Sequence, residues 1–338
     1  MTTPLLEVRN LEKHYPVRGG IFSRTVGTVR AVAGVSLTVH AGQTLGLVGE
    51  SGCGKSTLGR TLMRLEEPTA GQVLFDGHDL AKASGNTLFK LRREMQMVFQ
   101  DPYSSLNPRL TVGEIVREPM LVHGMGSKAE QTLRVRELLA TVGLGADALA
   151  RYPSEFSGGQ RQRIGVARAL SLNPRLVIAD EPVSALDVSV QSQVLNLMVQ
   201  LQRERGLAYV FISHDLSVVE HVSDVVAIMY LGRIVEMGPV RAIFDRPAHP
   251  YTRALMQAIP SGNPRQRRAS VPLTGEAPSP MATLPGCAFA SRCPYALDAC
   301  RQAVPVLEPV AAAATGTQPH VAACIRRDEI ATLGAAAG

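Results

Sequence analysis

The chain has 338 residues, room for one large α/β domain plus an appendage. Hydrophobic residues make up 45% and aromatics only 4%, with no tryptophan, so the core must be mostly aliphatic. The net charge of +6 is spread along the chain without a long basic run, which argues against nucleic acid as a partner.

Charges at Glu7, Arg9, Glu12 and Lys13 interrupt the opening residues, so no secretory signal is read there. No stretch approaches the roughly 18 apolar residues that cross a bilayer. The expectation is a soluble, cytoplasmic protein that reaches any membrane through a partner.

In chain order, residues 5–48 read as short β segments. Val29 to Val32 and Val35 to Val39 lean to strand by their β-branched content. Leu45-Gly46-Leu47-Val48 is a short apolar run suited to a buried strand, followed by a glycine-rich loop and a helix from Thr57 to Leu65. Residues 128–145 and 190–205 carry apolar positions at helical spacing. Leu176 to Ala179 and Tyr209 to Ile212 are further buried-strand candidates. Strands alternating with helices predict an α/β fold with a mostly parallel sheet covered by helices. No internal repeat is visible. From about residue 260, Pro260, Pro264, Pro272, Pro278, Pro280 and Pro285 arrive with Gly and Ser and mark a linker. The basic cluster Arg265, Arg267 and Arg268 reads as part of it. The alanine-rich piece at 311–314 and the last few residues are expected to be poorly ordered.

Three stretches carry chemistry. Gly49-Glu50-Ser51-Gly52-Cys53-Gly54-Lys55-Ser56-Thr57 fits G-x-x-x-x-G-K-[ST] between a strand and a helix. Its glycines let backbone N–H groups curl around phosphate oxygens, and the helix start adds its positive dipole end. Lys55 would reach the β- and γ-phosphates and Ser56 would bind Mg²⁺, with Cys53 a small loop residue without redox chemistry. Leu176 to Ala179 ends in Asp180 and Glu181, carboxylates pushed out at a strand's C-terminal edge. Asp180 suits a Mg²⁺ shell and Glu181 an attacking water. Ser157-Gly158-Gly159-Gln160 opens a helix over 161–170, with Ser157 as N-cap. One nucleotide does not need two phosphate-binding helix starts, so this second one is read as serving a nucleotide held by another subunit.

The set resembles the nucleotide-binding domains of ABC transporters, in the expected order. Residues 49–57 look like Walker A, and Gln100 after Met97-Val98-Phe99 looks like the Q-loop glutamine. Phe156 to Gln160 looks like the signature motif, with Phe where Leu is commoner. Asp180-Glu181 looks like Walker B plus the catalytic glutamate, Ser184 to Asp187 like the D-loop, and His214 like the switch histidine. Tyr15 sits where such domains stack an aromatic on adenine. The stretches 99–109, 181–190 and His249-Pro250-Tyr251-Thr252 are similar to ATPases of dipeptide or oligopeptide importers, F-type subunit, over nearly the whole chain.

The resemblance implies a P-loop NTPase ABC-type domain over 1–260, with a helical subdomain at about 100–170, and a cysteine-containing C-terminal extension over 261–338. It implies ATP and Mg²⁺ as ligands, with Ser56, Gln100 and Asp180 around the metal and Glu181, His214 and Gln100 acting on the γ-phosphate. The nucleotide would contact Tyr15, residues 49–57, and Ser157 to Gln160 and Asp187 of a partner. Partners implied are a second, D-type ATPase subunit, two integral membrane permeases and an external substrate-binding protein, with this chain peripheral on the cytoplasmic face of the plasma membrane. A groove near Asp101 to Pro108 would receive a short helix of the membrane subunit. Substrate is not encoded in such a subunit; nickel, haem-precursor or glutathione transport stands beside peptide transport. A soluble ABC ATPase acting on DNA or ribosomes is a rival, although the doubled unit or coiled-coil insertion usual there is missing.

Four of the five cysteines fall late: Cys287, Cys293, Cys300 and Cys324, at spacings x5, x6 and x23. Four thiolates close either an iron–sulfur cluster or a tetrahedral zinc site, and the spacing alone decides neither. His320 could replace a cysteine in a zinc site, and free buried cysteines are the plain alternative. By resemblance to the importer family the four are ligands of a [4Fe–4S] cluster. The tail could also act as a metal- or redox-regulated module alongside transport.

Overall fold

The computed structural model describes residues 3–19, 24–101, 103–258, 275, 278–311 and 318–335. Pro260, Pro264, Pro272, Arg265, Arg267 and Arg268 lie outside the described residues, as do Pro102, most of the alanine-rich piece, the last three residues and the domain boundary expected at 260. The chain folds into two compact units built from interleaved segments.

The first unit comprises Met1–Leu6, Val39–Thr44 and Leu74–Ser213. Three parallel strands form its sheet: Met95–Val98 pairs with Leu176–Asp180, which pairs with Ala208–Ser213. The last two are buried along their whole length, which is why they read as unbroken apolar runs instead of alternating ones. Against them stands a helical group. Val112–Val122 packs on Lys128–Thr141 and on Gly158–Leu170, and Gly158–Leu170 packs in turn on Val188–Arg205. Each of the first three begins at a capping box that the sequence spells out: Thr111 with Glu114, Ser127 with Glu130, and Ser157 with Gln160. The expected helix over 128–145 therefore starts on its cap and ends early, at Thr141, where Gly143 takes a φ of 75°.

The second unit comprises Glu7–Thr38, Leu45–Val73 and His214–Gly338. The strand Thr44–Val48 is fully buried and runs parallel to Val225–Tyr230, with Leu45 opposite Val225 and Val48 opposite Ile228. Burying Leu45, Leu47 and Val48 contributes about 1.5–3 kcal/mol each. Arg233–Pro239 turns back antiparallel to Val225–Tyr230, and the short strands Val321–Ala322 and Glu308–Pro309 continue the ladder. The C-terminal segment is thus stitched to this unit's own sheet. A small apolar cluster of Ala248, Val310, Ala322 and Ala331 closes over the join, with Ala331 on the helix Arg327–Ala335.

One expectation is corrected here. The β segments near the N-terminus are not short: Leu6–Gly19 and Arg24–Val39 are two long neighbouring strands. Ala33-Gly34 looks like a break in the sequence, but Gly34 adopts a φ of 79° and lets the strand pass through it without ending.

Candidate functional site

The strand Thr44–Val48 delivers the chain into the glycine-rich loop, and the helix Lys55–Leu62 leaves it. Gly54 caps that helix at a φ of 107°, and a Cβ there would lie 1.9 Å from the Ala31 carbonyl oxygen. A Cβ on Gly49 would lie 2.2 Å from the Met229 carbonyl. Both glycines are therefore required by close backbone approach. Lys55 is 4% exposed, and its Nζ donates to the carbonyls of Gly49 at 2.7 Å and Glu50 at 3.0 Å. The ammonium is thus folded back along the loop it closes, on the scaffold expected for a phosphate cradle. Burial pushes the Cys53 thiol up, which fits a small loop residue without redox chemistry.

Glu50 is tied at every polar group. Its N–H donates to the Tyr251 hydroxyl at 2.9 Å, and its carbonyl accepts from Lys55. Its carboxylate accepts two bonds from Arg292, at 3.0 and 3.1 Å. Tyr251 sits on the helix Pro250–Gln257, capped by His249, whose Nδ1 accepts from the Tyr251 N–H at 3.1 Å. Complete burial holds His249 down to about 3, so the ring stays neutral and its Nδ1 remains an acceptor. Behind it, fully buried Glu236 accepts from the N–H groups of Ala248 and His249 and from His320 Nε2 at 2.7 Å.

Tyr15 lies in the same unit, half-buried, with its hydroxyl bonded to Glu66 and the Lys13 ammonium 4.9 Å from its ring centroid. His214 is exposed immediately after Ala208–Ser213, beside Asp215, which caps Leu216–Val222.

The other unit carries the remaining expected residues. Asp180 ends its strand buried, and Glu181 follows with a φ of 45°, left-handed backbone that a non-glycine residue rarely adopts. That conformation is held by the Glu181 N–H donating to the Ile212 carbonyl at 2.9 Å and by Ser184 Oγ donating to the Glu181 carbonyl at 3.1 Å. Gln100 Nε2 donates to Glu181 Oε2 at 2.8 Å, joining two residues that the sequence analysis picked separately. The residues after Gln100 are fastened to the helix Gly158–Leu170: Arg168 donates to the Ser105 carbonyl at 2.6 Å, and the Arg161 guanidinium lies 4.1 Å from the Tyr103 ring centroid.

Ser157 and Gln160 complete a reciprocal cap, with the Ser157 N–H donating to Gln160 Oε1 at 3.0 Å. Gly159 turns out to be needed for packing as well as for a bare helix start: a Cβ there would meet Val190 Cγ1 at 2.1 Å. Asp187 precedes Val188–Arg205 as its N-cap residue. Gln191 ties that helix back by donating to the carbonyls of Val183 and Leu186.

All four late cysteines line one cavity. Backbone N–H groups are aimed at each sulfur: Phe289 and Ala290 at Cys287, Tyr295 at Cys293, Leu297 at Cys300 and Arg326 at Cys324. Burial pushes the thiols of Cys287 and Cys293 up, and that of Cys324 up to about 11. Among the described residues, no group of three or more His, Cys, Asp or Glu is arranged to hold a metal ion. His320, weighed as a substitute ligand, instead spends its Nε2 on Glu236.

Nothing local in the sequence marks Arg292 or Glu236. A carboxylate at the second position of an anion-binding loop signals that a cation must stand nearby, but not which of 35 lysines and arginines supplies it.

A strand–glycine loop–helix in one unit, together with an Asp-Glu strand end and a capped Ser-Gly-Gly-Gln helix in the other, defines a P-loop ATP-binding cassette. Solved structures agree. A dimeric ATP-binding cassette in a post-hydrolysis state with ADP and phosphate matches 70% of this chain and 99% of its own at 30% identity and a TM-score of 0.62. The protein cbiO1 from Clostridium perfringens matches 72% of this chain and 91% of its own at 27% identity and a TM-score of 0.62.

The chain belongs to the ATP-binding proteins of ABC transporters, in their oligopeptide/dipeptide branch. Residues 32–184 match the ABC transporter family model, and residues 235–300 match the oligopeptide/dipeptide transporter C-terminal region. It is 55% identical to a probable peptide ABC transporter ATP-binding protein, y4tS, of Sinorhizobium fredii, covering 98% of this chain and 96% of the relative. It is 54% identical to the oligopeptide transport ATP-binding protein AppF of Bacillus subtilis, covering 89% and 92%. It is 52% identical to the dipeptide transport ATP-binding protein DppF of Haemophilus influenzae, covering 90% and 93%.

Proposed function

We propose that this chain is the ATP-hydrolysing motor subunit of an importer that carries dipeptides or oligopeptides across the cytoplasmic membrane. The observation that carries the motor reading is the Glu181 carboxylate, presented from a left-handed backbone and held by Gln100 at 2.8 Å. The Gln100 amide orients that carboxylate toward the site, as a water-activating base requires. The match of residues 235–300 to the peptide-transporter C-terminal region supports the peptide substrate.

In this reading Lys55 and the N–H groups of residues 49–57 hold the β- and γ-phosphates. Ser56, Asp180 and Gln100 furnish oxygens for Mg²⁺, Tyr15 meets the adenine, and His214 contacts the γ-phosphate. Ser157 to Gln160 and Asp187 serve the nucleotide of a second, D-type ATPase, so that ATP closes the pair and hydrolysis reopens it. Residues 1–260 form the ATP-binding domain and 261–338 the extension. No helix among the described residues is long and apolar enough to span a membrane, so attachment to the cytoplasmic face runs through two permease subunits, which an external binding protein feeds. Purifying the tagged chain from its native cells in mild detergent, with mass spectrometry of its companions, tests this. Two multi-spanning proteins and a second, non-identical ATPase are expected; ribosomes or DNA-processing factors in their place would overturn it.

The cysteine cavity is read as the seat of a [4Fe–4S] cluster. What supports this is the donor chemistry alone: four thiols line one cavity and each sulfur receives a peptide N–H, although as folded here no three of them are arranged to hold a metal ion, so the sulfurs would have to draw together on binding. A cluster would supply a four-point crosslink to a segment with little core of its own. Chain purified without air should contain iron and acid-labile sulfide in equal amounts, and Cys300→Ser should lose both and melt several degrees lower. Zinc without sulfide would replace the cluster reading, and metal-free wild-type protein would end it.

A further inference from the structure

The nucleotide loop is built to bind a polyanion, yet its second residue is a glutamate. A carboxylate beside a triphosphate opposes binding unless a cation cancels it. That cation comes from the cysteine-bearing segment. Arg292 grips the Glu50 carboxylate with both terminal nitrogens, at 3.0 and 3.1 Å. Its side chain is 8% exposed, its NH1 also donates to the Tyr230 hydroxyl at 3.3 Å, and its guanidinium lies about the faces of Tyr230 and Phe289. The two-pronged geometry and the poor solvent access make this a strong pair, in contrast to an exposed surface bridge. Arg292 directly precedes Cys293, one of the four cysteines on the cavity. The aromatic platform beneath it is shared: Tyr251, which accepts the Glu50 N–H, packs its ring at a tilt against Tyr230, 4.7 Å between centroids, and against Phe289, 5.4 Å between centroids.

We propose that Arg292 is a positioning residue of the ATP site: it neutralises Glu50 and fixes the entry of the phosphate loop, so that the C-terminal extension completes the nucleotide pocket. This rests on the ATP-binding reading above. The extension's contribution is then electrostatic and specific, beyond the ordinary gain from packing another segment on the sheet. It also gives the cysteine cavity a direct line to the loop, because whatever orders Cys293 orders its neighbour.

The test is calorimetric ATP binding and steady-state hydrolysis on the full chain. Arg292→Met should weaken ATP binding about tenfold and raise KM by a similar factor, with kcat within about twofold of wild type. The double variant Glu50→Gln with Arg292→Met should recover most of that loss, because no carboxylate is left uncancelled. A purely structural bridge predicts no such recovery. Wild-type affinity in Arg292→Met, or a double variant as weak as the single one, would overturn the proposal. Should Arg292→Met fail to fold, Arg292→Lys decides: it keeps the charge but not the fork and should lose about threefold, and an unchanged affinity there would sink the idea. Failure of the wild-type chain itself to bind Mg-ATP would instead remove the ATP-binding reading.

Discussion

Glu181→Gln should abolish ATP turnover while leaving ATP binding intact. The amide is isosteric with the carboxylate and keeps an oxygen to accept from Gln100 Nε2, so the local contact survives. The left-handed backbone at residue 181 is set by the bonds to Ile212 and Ser184, neither of which involves the side-chain carboxylate. What is lost is the ability to take a proton from water, which contributes about 10²–10⁴ in rate for a positioned general base. Phosphate release should therefore fall by at least a hundredfold, with the ATP dissociation constant changed less than about threefold. The variant should accumulate with ATP bound. Turnover near the wild-type rate would remove Glu181 from the chemistry.

Glu236→Ala should produce the largest loss of stability. Glu236 has no exposed surface, and three donors converge on it: the N–H groups of Ala248 and His249 and the Nε2 of His320. Truncation leaves all three buried without an acceptor, in a region where His320 Nδ1 already has no partner among the described residues. Removing one member of such a buried group costs about 3–5 kcal/mol. In a chain of this size that amounts to a fall of about 4–7 °C in Tm. The damage should reach the nucleotide loop, since the helix carrying Tyr251 begins at the N–H groups Glu236 holds. Weaker ATP binding should accompany the lower Tm, and bound ATP should restore part of it. A thermal melt within a degree of wild type would show that this buried group is dispensable.

The two largest expected effects fall on residues of different legibility. Glu181 was readable because an apolar strand ending in Asp-Glu is a local pattern, and its partner Gln100 was readable by resemblance. Their contact, across 81 positions, was not. Glu236 gave no signal at all: a lone glutamate in an apolar strand looks like an outward-facing residue until the fold shows what covers it. His320 was visible as a titratable residue near cysteines, and its actual partner lies 84 positions away.

By itself the sequence determined the phosphate loop, the Asp-Glu strand end and the Ser-Gly-Gly-Gln helix start with its cap at Ser157. The reason is that each is made by neighbouring residues: consecutive N–H groups curling round an anion, or a side chain reaching three positions along a helix. Local chemistry also fixed the buried strands, whose β-branched and aliphatic runs have few other fates. Only the tertiary structure decided that Gly34 carries a strand through instead of ending it, that Gly159 is small because Val190 lies against it, and that four cysteines share one cavity. It alone paired Arg292 with Glu50 across 242 positions. Charge complementarity between distant side chains is satisfied by whichever cation the packing brings near, and the linear order of residues does not say which one that is.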